Sequence, residues 1–268
     1  MDRERLYRTE GIVLKRSDFG EADRLLVVFT PGFGKLRLLA KGVRKVPSRK
    51  AGHVELFMRS QLLVARGRNL DIVTQAEALD AYAGLRDTLV RATYAYYFAE
   101  LVDAFMEEGE ENEAVYRLLA LALERLAAGD EPRLLARFFE MKLLGCVGYR
   151  PELQRCVACG APHAPSQVFF SPGEGGMRCS ACGEAAPGVL AVSLGAFKVL
   201  RYLHSQEYGS ISGLRLRAAT AREVEQVLHR YLTFTLERNL KAAAFLDLVQ
   251  HTGERDPATK LDATVPTE

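Results

Sequence analysis

The chain has 268 residues, 48% hydrophobic and 26% charged, which is ordinary for a folded soluble protein and allows one large domain or two to three small ones. No apolar run approaches the ~20 residues that cross a bilayer, and the first residues lack the apolar region of a signal peptide. We therefore expect a cytoplasmic protein without a membrane segment.

The net charge of +2 conceals a strong polarity along the chain. Residues 1–70 hold 16 Lys and Arg against 7 Asp and Glu, whereas residues 71–140 hold 6 against 15. Such asymmetry predicts separate modules with separate partners, and it assigns a polyanion to the basic amino-terminal module.

Residues 8–76 are predicted to form an all-β module, because short apolar runs alternate with turn residues. Five short strands in about 70 residues fit a small OB-type barrel, with an SH3-like barrel as the alternative. The predicted strands are Thr9–Arg16, Asp23–Thr30, Lys35–Lys41, Glu55–Ala65 and Asp71–Ala76.

The third strand carries a distinctive pattern of charge. Leu36, Leu38 and Ala40 share one parity, and cations occupy the other, with Leu39 as the exception. Since alternate side chains of a strand face opposite sides, this predicts an apolar row backed by a cationic row. A second cationic run follows in residues 42–50, which are too rich in Gly, Pro and Ser for regular structure. The pattern suits a phosphate backbone; the alternative is a solvated strand and loop.

The hydrophobic period changes to that of helices after residue 78. Ala92–Glu108 is predicted to be an amphipathic helix, and Asn112 or a neighbour is predicted to cap a second helix that ends at Gly129. A third helix is predicted to begin at Pro132. The three helices together predict a small bundle, in which the aromatic side chains of the first helix are expected to lie in the core.

Residues 149–190 contain five prolines and few large apolar side chains, so this segment cannot bury enough surface to hold itself together. It contains two CxxCG motifs separated by 19 residues, and they supply four thiolates: Cys156, Cys159, Cys179 and Cys182. This spacing predicts a closed, structural zinc site with one Zn²⁺ per chain. A redox CxxC pair and an iron–sulfur cluster are weaker alternatives. His163 lies between the motifs but is not needed as a ligand, and Cys146 is predicted to be a buried thiol.

Helices return after Leu190 and are predicted to complete the same bundle around the cysteine segment. Ser193 is predicted to cap Leu194–Gln206, and Thr220–Glu223 is interpreted as a capping box before a long apolar stripe. A further helical stretch is predicted at Lys241–Val249.

No motif of a nucleotide-binding, hydrolytic or zinc-protease site occurs in the chain. A two-metal nuclease would need acids on the basic module, where Asp18, Glu21 and Asp23 form the one close set. We therefore expect a protein that is not an enzyme.

The amino-terminal motifs together resemble the bacterial RecO family of recombination and repair proteins. They are Gly11–Leu14, Glu21–Leu25, Phe29–Gly34 and Ala40–Lys45, and the order of the modules also matches. The resemblance implies an OB-fold and a non-catalytic role in DNA repair. It also implies binding and annealing of single- and double-stranded DNA, and action with RecR and single-strand binding protein in loading recombinase. Some members of the family lack the cysteines, which fits a stabilising metal.

The basic side chains supply the predicted mechanism, since they would neutralise backbone phosphates without reading sequence. These candidates are Lys35, Arg37, Lys41, Arg44, Lys45, Arg49, Lys50, Arg66 and Arg68. The family's contact with the acidic carboxy-terminal tail of single-strand binding protein lies in the helical region, where the candidates are Arg215, Arg217, Arg222 and Arg230. More DNA contact or solvated surface are alternatives for these four.

The predicted organisation is an OB-fold nucleic-acid-binding domain at 1–80, a helical domain in two parts at 81–148 and 191–250, a zinc-binding insertion at 149–190, and a disordered tail at 251–268. We expect the protein to lie in the cytoplasm, associated with the nucleoid. An RNA-binding factor of translation or transcription with a zinc knuckle is the alternative function.

Overall fold

The computed structural model describes residues 5–163 and 167–237. The predicted helix at Lys241–Val249 and the predicted disordered tail lie outside the described residues. Within them, no helix combines the length and the apolar character that a membrane crossing requires.

Five strands close into a barrel in the order β1-β2-β3-β5-β4, as predicted. They are β1 (Leu6–Phe19), β2 (Asp23–Thr30), β3 (Gly34–Ala40), β4 (Arg59–Ala65) and β5 (Asp71–Asp80). All neighbouring pairs are antiparallel except β3 and β5, which run parallel where Leu38 lies opposite Asp71. The result is an OB-like barrel without a free sheet edge.

The fourth strand begins later than predicted, because the chain is not extended before it. Phe57 has a φ of +67°, a left-handed conformation that an aromatic residue rarely adopts. The Phe57 amide donates to the Val13 carbonyl and the Val13 amide donates to the Met58 carbonyl, and these two hydrogen bonds hold the turn against β1. The predicted strand from Glu55 is therefore wrong by four residues at its start.

Residues 11–14 of β1 and residues 28–30 of β2 are buried on both faces of the sheet. Val13 and Val28 point into the barrel core, whereas Ile12, Leu14 and Phe29 belong to the core of the helical region. The pairing of β1 with β2 shifts in register between Val13 and Lys15. The barrel is thereby packed directly on the helices that follow it.

The three predicted helices of the first bundle are present: α1 (Leu89–Phe105), α2 (Glu113–Ala128) and α3 (Pro132–Cys146). The Asn112 side chain accepts a hydrogen bond from the amide of Val115, as predicted for a cap. Gly129 ends α2 with a φ of +97°. The aromatic side chains of α1 are largely core, with Tyr94, Tyr97 and Phe98 almost fully buried.

The cysteine segment forms a small sheet of order β7-β6-β8. Its elements are β6 (Val168–Ser171), β7 (Gly176–Arg178), the short helix α4 (Ser180–Gly183) and β8 (Leu190–Val192). Phe170 and Met177 are buried in the same core as the helices, and the Phe170 ring contacts Tyr231 edge-on at 5.2 Å. This segment thus shares the helical core although its composition is poor in apolar residues.

Three further helices complete that core: α5 (Leu194–Ser205), α6 (Tyr208–Ile211) and α7 (Ala218–Leu236). The predicted capping box at Thr220–Glu223 is wrong, because α7 already begins at Ala218. The Glu223 carboxylate instead accepts hydrogen bonds from the amide and hydroxyl of Ser193, which caps α5. The Glu223 side chain of α7 therefore stabilises the amino-terminal end of α5.

Candidate nucleic-acid interface and metal centre

The loop at residues 41–50 is a series of turns held against the tip of the β1–β2 hairpin. The Gly42 amide donates to the Asp23 carboxylate at 2.7 Å, and the Arg44 amide donates to the carbonyl of Ala22 at 2.9 Å. Gly42 has a φ of +65°, which favours glycine at this turn. These contacts fix a loop whose charged side chains face solvent.

Most of the predicted phosphate-binding cations are exposed on this loop and on the β4–β5 turn. Five of them have no carboxylate partner within the part of the chain that the structure describes: Lys41, Lys45, Arg49, Arg66 and Arg68. Arg44 is exposed but lies 3.4 Å from an Asp18 carboxylate oxygen. The Lys50 ammonium turns back to donate to the carbonyl of Val73.

The two cations of β3 lie beside acids of the helical region, and they differ in exposure. The Lys35 side chain is 13% exposed, and its ammonium contacts an Asp103 carboxylate oxygen at 3.2 Å and the Asp103 carbonyl at 2.8 Å. Arg37, which is half exposed, lies 3.7 Å from a Glu108 carboxylate oxygen. The alternating pattern of β3 is therefore real, but its cationic row faces acids at the end of α1.

Asp103 sits between two lysines at the joint of the barrel and α1. Lys15 reaches the same carboxylate from β1 at 2.5 Å. Burial acts to raise the pKa of Asp103, but the hydrogen bonds and charges of Lys15 and Lys35 outweigh it and hold the pKa below its ordinary value. An acid with a lowered pKa stabilises the fold above its ordinary pKa and loses this contribution as the pH falls.

Replacing Asp103 by asparagine is therefore expected to lower the melting temperature at neutral pH. The difference from the wild type should persist from about pH 7 to pH 5 and shrink below about pH 4, because this carboxyl then takes up a proton in the unfolded chain; it should vanish once the pH falls below the lowered pKa of the folded state. Thermal unfolding of both proteins across this range measures it. A difference in melting temperature that is independent of pH would contradict the role of charge. As a control, Glu113→Gln removes an acid from an exposed pair with Arg117 and should leave the dependence of the melting temperature on pH unchanged.

The β4–β5 turn brings aromatic rings next to a cation, which the sequence prediction missed. Arg66 lies over the Tyr7 ring at 5.0 Å, and the rings of Tyr7 and Phe33 are 4.8 Å apart. Tyr7 and Phe33 come from β1 and from the β2–β3 turn, so only the barrel topology joins them.

The acids of the basic module are used in the structure to hold cations and loops. Asp18 pairs with Arg24 and Arg44, and Asp23 accepts from the Gly42 amide. In the described ranges, the one group of three or more potential metal ligands is made of cysteines. The nuclease alternative thus gains no support from the positions of these acids.

The four predicted cysteines come together, and their sulfur atoms all lie within 4.8 Å of one another. The Cys159 and Cys179 sulfur atoms are 3.9 Å apart. Four sulfurs placed tetrahedrally at about 2.3 Å from a zinc ion would be separated by about 3.8 Å, so the cluster fits such an ion. His163 is not in this group; its ring packs edge-on against Phe197. Cys146 lies apart at the end of α3.

The backbone around the cluster favours a thiolate at Cys156. Burial raises the pKa of this thiol, but backbone hydrogen bonds from Cys179, Cys159 and Ala158 outweigh it and lower the pKa to about 6. Hydrogen bonds link Val157 to Met177, and Met177 to Glu152, which ties the first CxxC turn to β7. The cluster is therefore held by the same small sheet that enters the helical core.

The two CxxC pairs are each followed by a glycine, and the structure requires glycine at these two positions for different reasons. Gly160 has a φ of +73°, so its turn needs a left-handed residue. Gly183 lies against the Phe169 ring, where an added Cβ would come within 2.4 Å of the ring. Gly160 thus permits the backbone conformation of its turn, and Gly183 permits close packing of the Phe169 ring.

A cleft of about 310 Å³ between α3 and α7 gathers two of the four arginines that we considered for an acidic peptide. Arg215 and Arg222 line it, whereas Arg217 and Arg230 do not. Arg133 and Arg137 of α3 line it as well, and the sequence prediction missed both. Leu134, Leu214 and Leu216 add an apolar surface.

Comparison with known proteins matches both parts of this architecture to one family. The model for Recombination protein O N terminal matches residues 1–82, and that for Recombination protein O C terminal matches residues 86–244. DNA repair protein RecO of Roseiflexus sp. (strain RS-1) is 47% identical over 248 residues, which are 92% of this chain and 87% of the relative. DNA repair protein RecO of Pelotomaculum thermopropionicum is 41% identical over 244 residues, covering 91% and 94%. The chain therefore belongs to the RecO family of DNA repair proteins.

Proposed function

We propose that this protein binds single- and double-stranded DNA through its amino-terminal barrel, anneals complementary strands, and acts with RecR and single-strand binding protein in loading recombinase. The observation that carries DNA binding is the exposed cationic loop at residues 41–50, together with Arg66 and Arg68 on the β4–β5 turn. We place this role at the nucleoid, in the cytoplasm, because chromosomal DNA is the ligand.

The proposed contacts act through charge alone. An exposed Lys or Arg that meets a phosphate releases condensed counterions, so affinity is independent of sequence and falls with salt. Two strands held on one cationic surface repel each other less, which promotes pairing without any covalent step. We therefore propose that the protein is not an enzyme.

We rank the proposed phosphate contacts by the exposure and the acidic partners of each side chain. Lys41, Lys45 and Arg49 are exposed on the loop and have no acidic partner among the described residues. Lys35 is occupied by Asp103, so we assign it a smaller share of the binding. Arg37 lies near Glu108 but remains half exposed, and it can add to the surface formed by the loop.

Replacing Lys41, Lys45 and Arg49 together by alanine is expected to weaken binding of single-stranded and duplex oligonucleotides alike. For single strands, the slope of log affinity against log salt should become shallower by about 2, since each lost contact contributes about 0.7. Fluorescence anisotropy over a salt series measures this slope, and annealing of complementary labelled strands should slow in parallel.

A matched variant removes three exposed cations from helices α2 and α5: Arg117, Arg125 and Lys198. It should keep the wild-type slope, which separates a local footprint from an effect of net charge. An unchanged slope in the loop variant would refute the proposed interface. Tighter binding of RNA than of DNA by the wild type would favour the RNA-binding alternative.

We propose further that the cleft between α3 and α7 receives the acidic carboxy-terminal tail of single-strand binding protein. Four arginines, three leucines and two glutamates (Glu131 and Glu225) line it, and the excess of cations beside an apolar surface suits a peptide that carries both carboxylates and apolar side chains. The charge of the nearly buried Arg137 is already balanced by the carboxylates of Glu140 at 2.6 Å and Glu225 at 2.8 Å, so we propose that Arg215 and Arg222 meet the carboxylates of the peptide.

For the metal, we propose one structural Zn²⁺ held by Cys156, Cys159, Cys179 and Cys182. Four thiolates leave no open position for water or substrate, so the ion would contribute folding free energy instead of chemistry.

A further inference from the structure

A second concave surface lies at the joint of the barrel and the helices, apart from the loop and the cleft. It is a groove of about 840 Å³ between the outer face of β1 and β2 and the side of α1. Apolar side chains line it from the barrel, namely Leu14, Leu25, Val27 and Leu56. Such a volume exceeds what a single side chain of a neighbouring strand would fill.

Tyr96 of α1 lines this groove and is the one large aromatic side chain that does so among the described residues. It is 49% exposed, whereas Tyr94 and Tyr97 beside it are almost fully buried. Phe57 contacts it edge-on, with the ring centres 4.9 Å apart and the planes at 86°. Phe57 is the residue whose φ is +67°, so a strained backbone supports the position of the exposed ring.

Three charged side chains line the groove, Lys15, Arg16 and Glu100, and none of them is without a partner, so the wall is close to neutral. Lys15 contacts the Asp103 carboxylate, and Arg16 forms an ion pair with Glu55. An uncharged ligand with flat apolar faces suits such a wall better than a phosphate does.

Ion pairs connect the groove to the cationic loop. Glu55, the partner of Arg16, also contacts Arg24 at 3.0 Å, and Arg24 lies 3.5 Å from Asp18. Asp18 in turn contacts Arg44 of the loop at 3.4 Å. The loop and the groove are therefore neighbouring parts of one surface, linked by this chain of ion pairs.

We propose that this groove binds an unpaired nucleobase of single-stranded DNA, stacked on Tyr96, while the flanking phosphates lie on the loop. The inference rests on the proposed function, since the loop must first hold a DNA backbone. Every base presents a flat π-face, so the site accepts any sequence. Bases of a duplex are already paired and stacked, and they cannot enter. The loop thus supplies affinity for both forms of DNA, and the groove adds a preference for single strands.

The test compares a 30-nucleotide oligothymidine with an abasic strand of the same length, which keeps the phosphates and lacks the bases. The wild type is expected to bind the thymidine strand about tenfold more tightly, as one stacked base would give. Tyr96→Ala should reduce this ratio to about one while leaving affinity for the abasic strand and for duplex unchanged. Tyr96→Phe, which retains the ring, should keep the ratio. Tyr149→Ala removes another half-exposed tyrosine, outside the groove, and should also keep it.

A second measurement avoids dependence on the folding of the variant. Irradiation of the wild type with a 5-iodouracil-substituted strand should give a cross-link that mass spectrometry places at Tyr96. Equal affinity of the wild type for thymidine and abasic strands, or cross-links only elsewhere, would overturn the inference. These outcomes would leave the loop proposal intact, because that proposal fails only if the salt slope of the loop variant is unchanged.

Discussion

The substitution Cys156→Ser is expected to abolish stoichiometric zinc binding and to lower the melting temperature by about 10 °C or more. Structural zinc contributes about 10–16 kcal/mol of binding free energy in small zinc domains, and loss of a metal is among the largest effects of single substitutions. The cysteine segment places Phe170 and Met177 in the helical core, so its unfolding would expose that core too. Elemental analysis and thermal unfolding of the purified protein measure both effects.

Cys146→Ser is the matched control, because the same atom is exchanged in a cysteine that lies outside the cluster. It should retain one zinc per chain and change stability by no more than about 1 kcal/mol. DNA binding by Cys156→Ser should survive at temperatures where the barrel is folded. One zinc per chain and an unchanged melting temperature in Cys156→Ser would rule out the four-cysteine site.

The substitution Arg137→Ala is expected to destabilise the protein by about 3–5 kcal/mol, the range for removing one member of a buried ion pair. Arg137 contacts the Glu140 carboxylate at 2.6 Å, and Glu140 is fully buried. Burial raises the pKa of Glu140 to about 7, although Arg137 and the Tyr97 hydroxyl both act to lower it. Without Arg137, the one hydrogen bond to the carboxylate that remains among the described residues is that from Tyr97, at 2.6 Å. Chemical denaturation measures the loss.

The double variant Arg137→Met with Glu140→Gln separates lost charge from lost packing. It removes both buried charges and keeps an acceptor for Tyr97, so it should recover much of the stability lost in Arg137→Ala. Arg117→Ala breaks an exposed pair with Glu113 and should cost less than about 0.5 kcal/mol. A loss in Arg137→Ala as small as this would show that the buried pair contributes no more than a surface pair.

Local patterns in the sequence were enough to predict the barrel strands, the Asn112 cap and the cysteine cluster. Each depends on residues close in the chain or on ligand chemistry that is independent of the surroundings. The contact of Lys35 with Asp103 could not be predicted in this way, because the two residues are 68 positions apart in the chain. The alternation of side chains along a strand does not reveal which face a later helix covers. The supposed capping box failed for the same reason, since Glu223 has a partner 30 residues away in Ser193. The predicted domain boundaries and DNA contacts stay predictions.

The parts of β1 and β2 that are buried on both faces restrict movement of the barrel relative to the helices. Ile12, Leu14 and Phe29 are as much part of the helical interior as of the barrel wall. Swinging the barrel away would expose these side chains to water at a cost of about 1.5–3 kcal/mol for each. The change of composition near residue 80 is therefore not a hinge, because rotation of the barrel relative to the helices would break this shared core.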